Sequence, residues 1–401
     1  MEEEYESVRR NVLVMSVGNT ITVSANSLWI MFMPYFFADA GIAPFLIGMI
    51  FTAIAVSRAV TSLIGGRAAD RFGRKPIISL GYMTYSIGIL IILASLIFEL
   101  TTPFLTGVLS VAGYMCLSAG SGFQRPASSM LLVESSPERR RGLSYMIATR
   151  VIPSIPPAAL VLVGTSLYLN NQFWLAVTLG FLGLFSVFLL FSVGLRETHS
   201  GNIEKQEDRL TPAKVRFDWF LVLFITAFAL DGISSSGLSW YVPIFVGRSN
   251  LDLYGIMISI STLVIAFAAL ASGGLVDRIG TRAAIFGGWT VLAITVTLFP
   301  IGTQPYEIII LYSIWAGLDM VDVSVPPLAV AERYPKEKRA SALGIYSMSI
   351  SLLGMMGPAS ISFFLLLGEN VPFYMKAIMN ITGAFFFLVA SKTRNNVDAT
   401  S

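Results

Sequence analysis

The chain has 401 residues, of which 55% are hydrophobic and only 13% are charged, whereas a soluble globular domain carries about 25% charged residues. Its apolar residues form continuous runs of about twenty residues and not alternating segments of about ten. The sequence therefore predicts membrane-spanning α-helices and not a transmembrane β-barrel. The net charge of +3 suggests no nucleic-acid partner, and the single cysteine excludes a disulfide framework or cysteine metal site within one chain.

The apolar runs predict six helices in each half of the chain. In the first half they span residues 11–37, 44–66, 76–98, 103–133, 142–168 and 172–195. In the second half they span residues 217–246, 253–276, 283–301, 307–331, 340–367 and 372–390. The segment between these two sets has mixed charge and is too polar to enter a bilayer. We therefore predict an N-terminal six-helix bundle over residues 1–195, a cytoplasmic linker over 196–216 and a C-terminal six-helix bundle over 217–401.

The positions of Lys and Arg predict the orientation, because short cytoplasmic loops retain these residues. Most of the 27 Lys and Arg residues fall in such loops if both termini are cytoplasmic. Arg248 and Lys376 are exceptions that we place near the outer surface. The pair Arg9 and Arg10 precedes an apolar run that is too long for a signal peptide, so we predict a retained first helix. These features predict a multi-pass protein of the cell membrane.

Two predicted loops have nearly the same amino-acid sequence, which predicts that a six-helix unit has been duplicated. The first reads GGRAADRFGRK at residues 65–75, and the second reads GGLVDRIGTR at residues 273–282. Another pair of loops repeats a pattern of Glu, Pro and Arg, again at a constant offset. The matched residues are Asp70 and Gly73 with Asp277 and Gly280, and Glu134, Pro137 and Arg141 with Glu332, Pro335 and Arg339.

The segment from Gly66 to Lys75 carries a specific motif after the second predicted helix. It reads glycine, three residues, aspartate, basic, any residue, glycine, basic, basic. This closely resembles the signature loop of the major facilitator superfamily, and the helix count, linker and repeat extend the resemblance over essentially the whole chain. The resemblance implies an all-α membrane protein with twelve transmembrane helices in two pseudo-symmetric six-helix bundles. Such bundles surround a central cavity that opens to either face as they rock.

The charged residues of these loops are candidates for a cytoplasmic gate. Charge pairs that form only when the ends of the two bundles meet would bias a two-state equilibrium. The alternatives are that the basic residues only enforce topology, or that the charges are solvated turn residues, whose pairs are weak. The gate candidates are Gly66, Asp70, Arg71, Gly73, Arg74, Glu134, Arg141, Asp277, Arg278, Glu332 and Arg339.

Ionisable residues inside the predicted helices are candidates for substrate binding or coupling, because a charge at membrane depth needs a partner, water or neutralisation. Asp319 and Asp322 share a helix face, where their repulsion would suit a proton-coupling acid. The arginines of the first half could receive a carboxylate or phosphate of the substrate, or could pair with Asp231 or Asp319. The candidates are Arg58, Arg125 and Arg150 in the first half and Asp231, Asp319 and Asp322 in the second.

Four further residues are secondary candidates. Gln124 lies beside Arg125 in a glycine- and proline-containing segment, and Asn26 is polar within the first apolar run. Trp240 and Tyr241 have polar-tipped rings that suit a cavity wall, but they could instead anchor the chain at the outer membrane interface. The prolines that follow Arg150 predict a bent or broken fifth helix.

Several sequence motifs are absent, and their absence narrows the possible functions. The sequence has no glycine-rich phosphate-binding loop, which argues against ATP as the energy source. The one histidine, His199, lies in the linker, which argues against a histidine relay within the membrane. No nucleophile and base can be assembled for covalent catalysis. Residues 154–158 lack the glycine-proline pattern of the superfamily's drug antiporters, which argues against drug efflux. Glu197 and Thr198 are too short a match to indicate sugar transport. We therefore predict no enzymatic activity, no cofactor and no metal.

The resulting hypothesis is a secondary active transporter that moves a small organic solute by alternating access. We predict proton-coupled symport, a solute with an anionic group, and a monomer in the lipid bilayer. One alternative is efflux of apolar or cationic compounds of the multidrug type. Another is a membrane sensor that moves no solute.

Overall fold

The computed structural model describes residues 2–97, 103–135, 151–197, 218–247, 250–334 and 336–392. Every regular element in these ranges is helical, and twelve helical spans in them are long and apolar enough to cross a membrane. Large apolar side chains such as Val193, at 77% exposure, and Phe267, at 72%, point away from the protein interior. Lipid is the solvent that tolerates such surfaces, and the predicted all-α membrane fold is confirmed.

The first half contains all six predicted spans. The first of them is divided by a short 3₁₀ turn at Ile30–Phe32, and Pro44 begins the next long helix, where its missing N–H needs no partner. The helices are α1 Glu2–Ser27, α2 Met33–Asp39, α3 Pro44–Phe72, α4 Arg74–Ile97, α5 Pro103–Glu134, α6 Ile152–Leu169 and α7 Phe173–Gly194.

The second half also contains its six spans, but the boundaries differ from the prediction. Two predicted helices run together in α9 across Gly280, and two others are each interrupted by a turn, at 319–320 and at 355–356. Pro358, which follows the second turn, lacks the N–H that a continuous helix would use. The helices are α8 Trp219–Gly247, α9 Leu251–Leu298, α10 Pro305–Leu318, α11 Val321–Arg333, α12 Lys336–Gly354, α13 Gly357–Leu365 and α14 Val371–Lys392.

The two repeated loops share a backbone conformation as well as a sequence motif. Gly73 has φ 90° and ψ 165°, and Gly280 has φ 80° and ψ 158°. L-residues rarely adopt these positive φ values, so glycine is required at both positions. The repeat seen in the sequence is therefore also present in the fold.

Each of these loops is bound by the end of the last helix of its own half. In the first half, the Glu197 carboxylate follows α7 and accepts hydrogen bonds from the backbone N–H groups of Arg74 and Lys75, both at 3.0 Å. These N–H groups begin α4, where an anion is stabilised. In the second half, the Arg282 guanidinium donates to the backbone carbonyl of Ser391 at the end of α14.

Contacts divide the chain into two compact units. The first unit comprises residues 1–202 and 240–266, and the second comprises 203–239 and 267–401. The first unit thus includes the segment 240–266 in addition to the first six spans. Most of the predicted linker lies outside the described residues, and the division into two six-helix bundles stays a prediction.

Within the first unit, α4 lies against α5 and α7, while α3 lies against α5. Glycine makes the contact between α3 and α5 possible, because a Cβ on Gly122 would lie 2.1 Å from the carbonyl oxygen of Arg58. The segment 240–266 joins this unit through Ser259, whose hydroxyl donates to the carbonyl of Ala158 at 2.6 Å. The closeness of α3 to α5 fixes the position of Arg58.

Within the second unit, α8 is the central element for the site. A Cβ on Gly237 would lie 2.6 Å from the carbonyl oxygen of Gly357, so α8 and α13 approach closely. On the other side, a Cβ on Gly383 of α14 would lie 2.8 Å from the carbonyl oxygen of Ala227. Small residues allow such approaches between membrane helices. They bring α14 against α8 near Asp231.

Candidate functional site

A buried ion pair lies at membrane depth in the second unit. Asp231 is the thirteenth residue of α8, about 18 Å along the helix from its start at 1.5 Å per residue. Its Oδ1 lies 3.0 Å from Nζ of Lys376 on α14. Lys376 is 0% exposed and Asp231 is 7% exposed. In such surroundings each charge depends on the other.

Two neighbouring side chains complete the pair. Ser235 lies one helical turn after Asp231, donates to Asp231 Oδ1 at 3.3 Å and accepts from Lys376 Nζ at 2.6 Å. Asn380 lies one turn after Lys376 and donates through Nδ2 to the same Oδ1 at 3.1 Å. The i,i+4 spacing on both helices thus supplies the partners. Asp231 Oδ1 therefore accepts three hydrogen bonds, one of them from a cation.

Asp319 and Asp322 come to the same place from the junction of α10 and α11. Asp231, Asp319 and Asp322 each place one carboxylate oxygen within 4.8 Å of the other two. A metal ion could also bridge oxygens at this spacing. Trp289 Nε1 donates to Asp322 Oδ1 at 2.5 Å. Oδ1 of Asp319 is buried and has no hydrogen-bond partner among the described residues. We call Asp231, Asp319, Asp322 and Lys376 the acidic cluster.

The charges of the acidic cluster do not balance when all its groups are ionised. Three carboxylates would then face one ammonium, and like charges at this separation repel strongly away from water. A bound proton removes one negative charge without any change of position. The arrangement can therefore take up and release a proton, which is the chemistry predicted for Asp319 and Asp322.

Lys376 was not among the predicted site residues. It was placed near the outer surface, and it is fully buried within the protein. An arginine was one predicted partner of Asp231; the structure pairs Asp231 with Lys376, and pairing with an arginine stays a prediction. A signal for this existed in the sequence, since Lys376 and Asn380 are one turn apart and form a polar stripe on an otherwise apolar helix.

The first unit contains a different polar group around Arg58. Arg58 Nη2 lies 3.4 Å from Ser118 Oγ on α5, while its buried Nε has no hydrogen-bond partner among the described residues. The guanidinium also interacts electrostatically with the phenols of Tyr85 and Tyr114. Tyr85 donates its hydroxyl proton to Asn26 Oδ1 at 3.1 Å. Two of the predicted candidates, Arg58 and Asn26, are thus parts of one polar group.

The other candidates of the first half lie elsewhere or outside the described part. Arg125 is exposed on α5, and Gln124 accepts a hydrogen bond from the hydroxyl of Ser128 on the same helix. Arg150 lies outside the described residues, as does the start of the predicted fifth helix. Prolines 156 and 157 lie within α6, which the structure describes from Ile152 onward. A site role for these residues stays a prediction.

Trp240 and Tyr241 are buried in the protein, with 1% and 2% exposure. The alternative that they anchor the chain at the membrane interface is therefore wrong. Trp240 stacks on Phe51 of α3, with ring centroids 6.3 Å apart and an interplanar angle of 11°. Its Nε1 has no hydrogen-bond partner among the described residues. The first unit thus places Trp240 beside the helix that carries Arg58.

The gate candidates are described only in part. Asp70, Arg71 and Arg278 are exposed, whereas Arg74 is buried. Glu332 is exposed and accepts a hydrogen bond from the Thr281 hydroxyl at 3.2 Å, and Gly66 is half-buried. The side chains of Glu134, Asp277 and Arg339 and the whole of Arg141 lie outside the description. A gating role for this set stays a prediction.

A contact between α11 and the start of α8 was not predicted. The Tyr334 hydroxyl donates to Asp218 Oδ1 at 2.9 Å, and Arg333 Nη2 lies 3.7 Å from Asp218 Oδ2. Burial, together with the hydrogen bond to the Asp218 carboxylate, raises the pKa of Tyr334 above its ordinary value. Tyr334 therefore remains a neutral donor in this contact at physiological pH.

The family follows from the match of the chain to a family model. Residues 15–328 and 250–400 match the model of the Major Facilitator Superfamily. The chain belongs to the major facilitator superfamily. Members of this superfamily are membrane transporters.

Relatives within the superfamily match over nearly the whole length. Multidrug resistance protein 2 of Bacillus subtilis (strain 168) is 25% identical over 391 residues, covering 92% of both chains. Quinolone resistance protein NorA of Staphylococcus aureus (strain COL) is 24% identical over 374 residues, covering 90% of this chain and 92% of NorA. The crystal structure of a D-xylose-proton symporter has a TM-score of 0.75, with 15% identity over 97% of this chain and 100% of that chain. At that identity the structural likeness supports the fold alone.

Proposed function

We propose that this superfamily member is a proton-coupled secondary transporter of a small organic solute, and that the acidic cluster is its coupling site. The observation that carries this proposal is the convergence of three carboxylates and one fully buried lysine at membrane depth. Intramembrane acids of this kind mark proton pathways in transporters. The protein would act as a monomer in the cell membrane, with its basic loops facing the cytoplasm.

The exchangeable proton is assigned to Asp319 and Asp322. Asp231 already accepts hydrogen bonds from Lys376 and from two neutral donors. Asp322 accepts a hydrogen bond from Trp289, and the buried Oδ1 of Asp319 has no hydrogen-bond partner among the described residues. A proton on Asp319 would turn that carboxyl group into a hydrogen-bond donor. It would also lower the repulsion within the cluster.

Proton binding drives transport when the two conformations of the carrier differ in proton affinity. A ligand shifts a two-state equilibrium only by its differential affinity for the two states. Because the charge of the acidic cluster changes by one unit, burial of the cluster in one state and its hydration in the other would supply that difference. Solute and proton would then cross in a fixed ratio.

Export of apolar or cationic compounds is a second candidate. It is favoured by two of the relatives, which are named as a multidrug resistance protein and a quinolone resistance protein. The excess of carboxylates over lysine in the acidic cluster would also suit a cationic solute. In this case a proton would exchange for the solute and would not accompany it.

Flux measurements in proteoliposomes test the proposal. The vesicles contain a trapped pH-sensitive dye and receive either 1-naphthoate or the lipophilic cation tetraphenylphosphonium. We expect an imposed pH gradient to drive solute accumulation. D319N should lower solute-driven proton movement at least tenfold while solute exchange without a gradient is retained. The matched control is D252N, which makes the same change at an exposed carboxylate.

The outcomes separate the candidates. Accumulation of tetraphenylphosphonium alone, with protons moving in the opposite direction, would favour the export candidate. Solute exchange that no pH gradient accelerates would remove proton coupling. If both probes bind but neither crosses under any gradient, a sensor without transport would be the better description.

A further inference from the structure

We propose that the polar group around Arg58 in the first unit binds the anionic group of the transported solute, and that this solute is an aromatic carboxylate. The inference rests on the proposed transport function and names its substrate class. Its basis is a guanidinium at membrane depth, whose buried Nε–H has no acceptor among the described residues and which lies beside a cluster of aromatic rings.

The depth of Arg58 is set by its helix. Arg58 is the central residue of the 29-residue α3 and lies about 21 Å from either end at 1.5 Å per residue. The hydrocarbon core of a bilayer is about 30 Å thick, so Arg58 lies near its middle. An extended arginine side chain cannot reach the headgroups from this position. The charge therefore needs an anion or water within the protein.

The described residues offer the Arg58 guanidinium few hydrogen-bond acceptors. The only hydrogen bond of the guanidinium among the described residues is the 3.4 Å contact from Nη2 to Ser118. No described carboxylate forms an ion pair with it, which contrasts with Lys376 in the second unit. A buried donor without an acceptor is rare in native proteins and calls for an explanation. A ligand that brings an anionic oxygen supplies one.

The neighbouring aromatic residues indicate the rest of the ligand. Tyr114, which interacts electrostatically with Arg58, lies 5.7 Å from Phe51 and 6.3 Å from Trp29, measured between ring centroids. Phe51 in turn stacks on Trp240. The indole Nε1 atoms of Trp29 and Trp240 are buried and have no acceptor among the described residues. This cluster is thus aromatic and closed to solvent, since Trp29, Tyr114 and Trp240 are at most 6% exposed, and it contains further N–H donors.

These features select one ligand class. A guanidinium presents paired N–H donors that match the two oxygens of a carboxylate. Aromatic walls favour a flat aromatic body through edge and face contacts. A lipid headgroup would carry an anion too, but it does not reach the middle of the bilayer. An aromatic monocarboxylate satisfies both the charge and the shape of the group.

Binding of 1-naphthoate by the purified full-length protein tests the inference. The matched probe is 1-naphthamide, which has the same rings and no charge. We expect the wild-type protein to bind naphthoate at least tenfold more tightly than naphthamide by isothermal titration calorimetry. R58Q should lose that preference, and R58K should retain only part of it because its ammonium lacks the paired donors. R67Q is the control, since Arg67 is an exposed arginine on the same helix.

Three results would overturn the inference. These are equal affinities of wild-type protein for the two probes, an unchanged naphthoate affinity in R58Q, and failure of R58Q to fold, which would mean that Arg58 has a protein partner. D319N separates this test from the proposed function. Naphthoate that binds D319N normally but is never carried by the wild-type protein would remove transport and leave the binding site in place.

Discussion

The two units bury positive charge in opposite ways. In the second unit, Lys376 contacts Asp231 and Ser235 at 3.0 and 2.6 Å and is fully buried. In the first unit, Arg58 is half-buried and has, within the described part of the chain, one hydrogen bond of 3.4 Å. A charge that the protein neutralises contributes to its own fold, whereas a charge that it leaves unpaired is suited to an external partner. The comparison therefore supports placing the proposed coupling site in the second unit and the proposed ligand site in the first.

The largest expected effect comes from removing the buried lysine. K376M leaves Asp231 buried without its cation, and breaking a buried pair in this way costs about 3–5 kcal/mol. We expect a large fall in the thermal unfolding temperature of the purified protein. K392M is the control at an exposed lysine of the same helix. The double variant D231N/K376M should regain most of the loss, and a double variant no more stable than K376M would break the comparison.

A smaller effect is expected where α3 and α5 approach each other. G122A places a methyl group 2.1 Å from the carbonyl oxygen of Arg58, and such overpacking costs about 1–3 kcal/mol. Because the helices must move apart at Arg58, naphthoate affinity should fall as well. G107A is the control on the same helix, where the added Cβ would meet only Ile42 at 3.9 Å. Equal melting temperatures of the two variants would contradict the close approach.

The smallest expected effect on stability is that of R58Q. Because Arg58 has no ion-pair partner among the described residues, its removal leaves no uncompensated charge behind. We expect the free energy of unfolding to change by about 1 kcal/mol or less, in either direction. The measurement is the same thermal unfolding as for K376M. A loss as large as that of K376M would make the two units alike and remove the distinction between them.

The fold was largely predictable because each membrane span depends on the mean hydropathy of a long run of residues. Runs of apolar residues predicted all twelve spans, since each must cross about 30 Å of hydrocarbon. The repeated sequence motif at Gly73 and Gly280 predicted a repeated turn, because only glycine readily adopts the positive φ of that turn. The interruptions at 319–320 and 355–356 were missed, since local turns barely change the mean hydropathy of a span.

The site was predictable only in part because it depends on which helix faces meet. Asp231, Asp319 and Asp322 were candidates as isolated charges, and their convergence required the packing of α8 against α10 and α11. Lys376 was missed because nearness to a helix end was given more weight than helical phase. Arg125 and Arg58 looked equivalent in the sequence, but one is exposed and the other is half-buried. Rotation of a helix about its axis decides such cases.

The bonds that secure the repeated turns after Gly73 and Gly280 have opposite polarity. In the first half, backbone N–H groups after the turn donate to the carboxylate of Glu197; in the second half, the Arg282 guanidinium donates to a backbone carbonyl oxygen. The two halves thus place a contact at the same turn but exchange which partner is the donor and which is the acceptor. A chimera with the turns transposed would set Arg282 against Glu197 and would place Lys75, the equivalent residue of the repeat, beside the Ser391 carbonyl, so each contact would keep a donor and an acceptor.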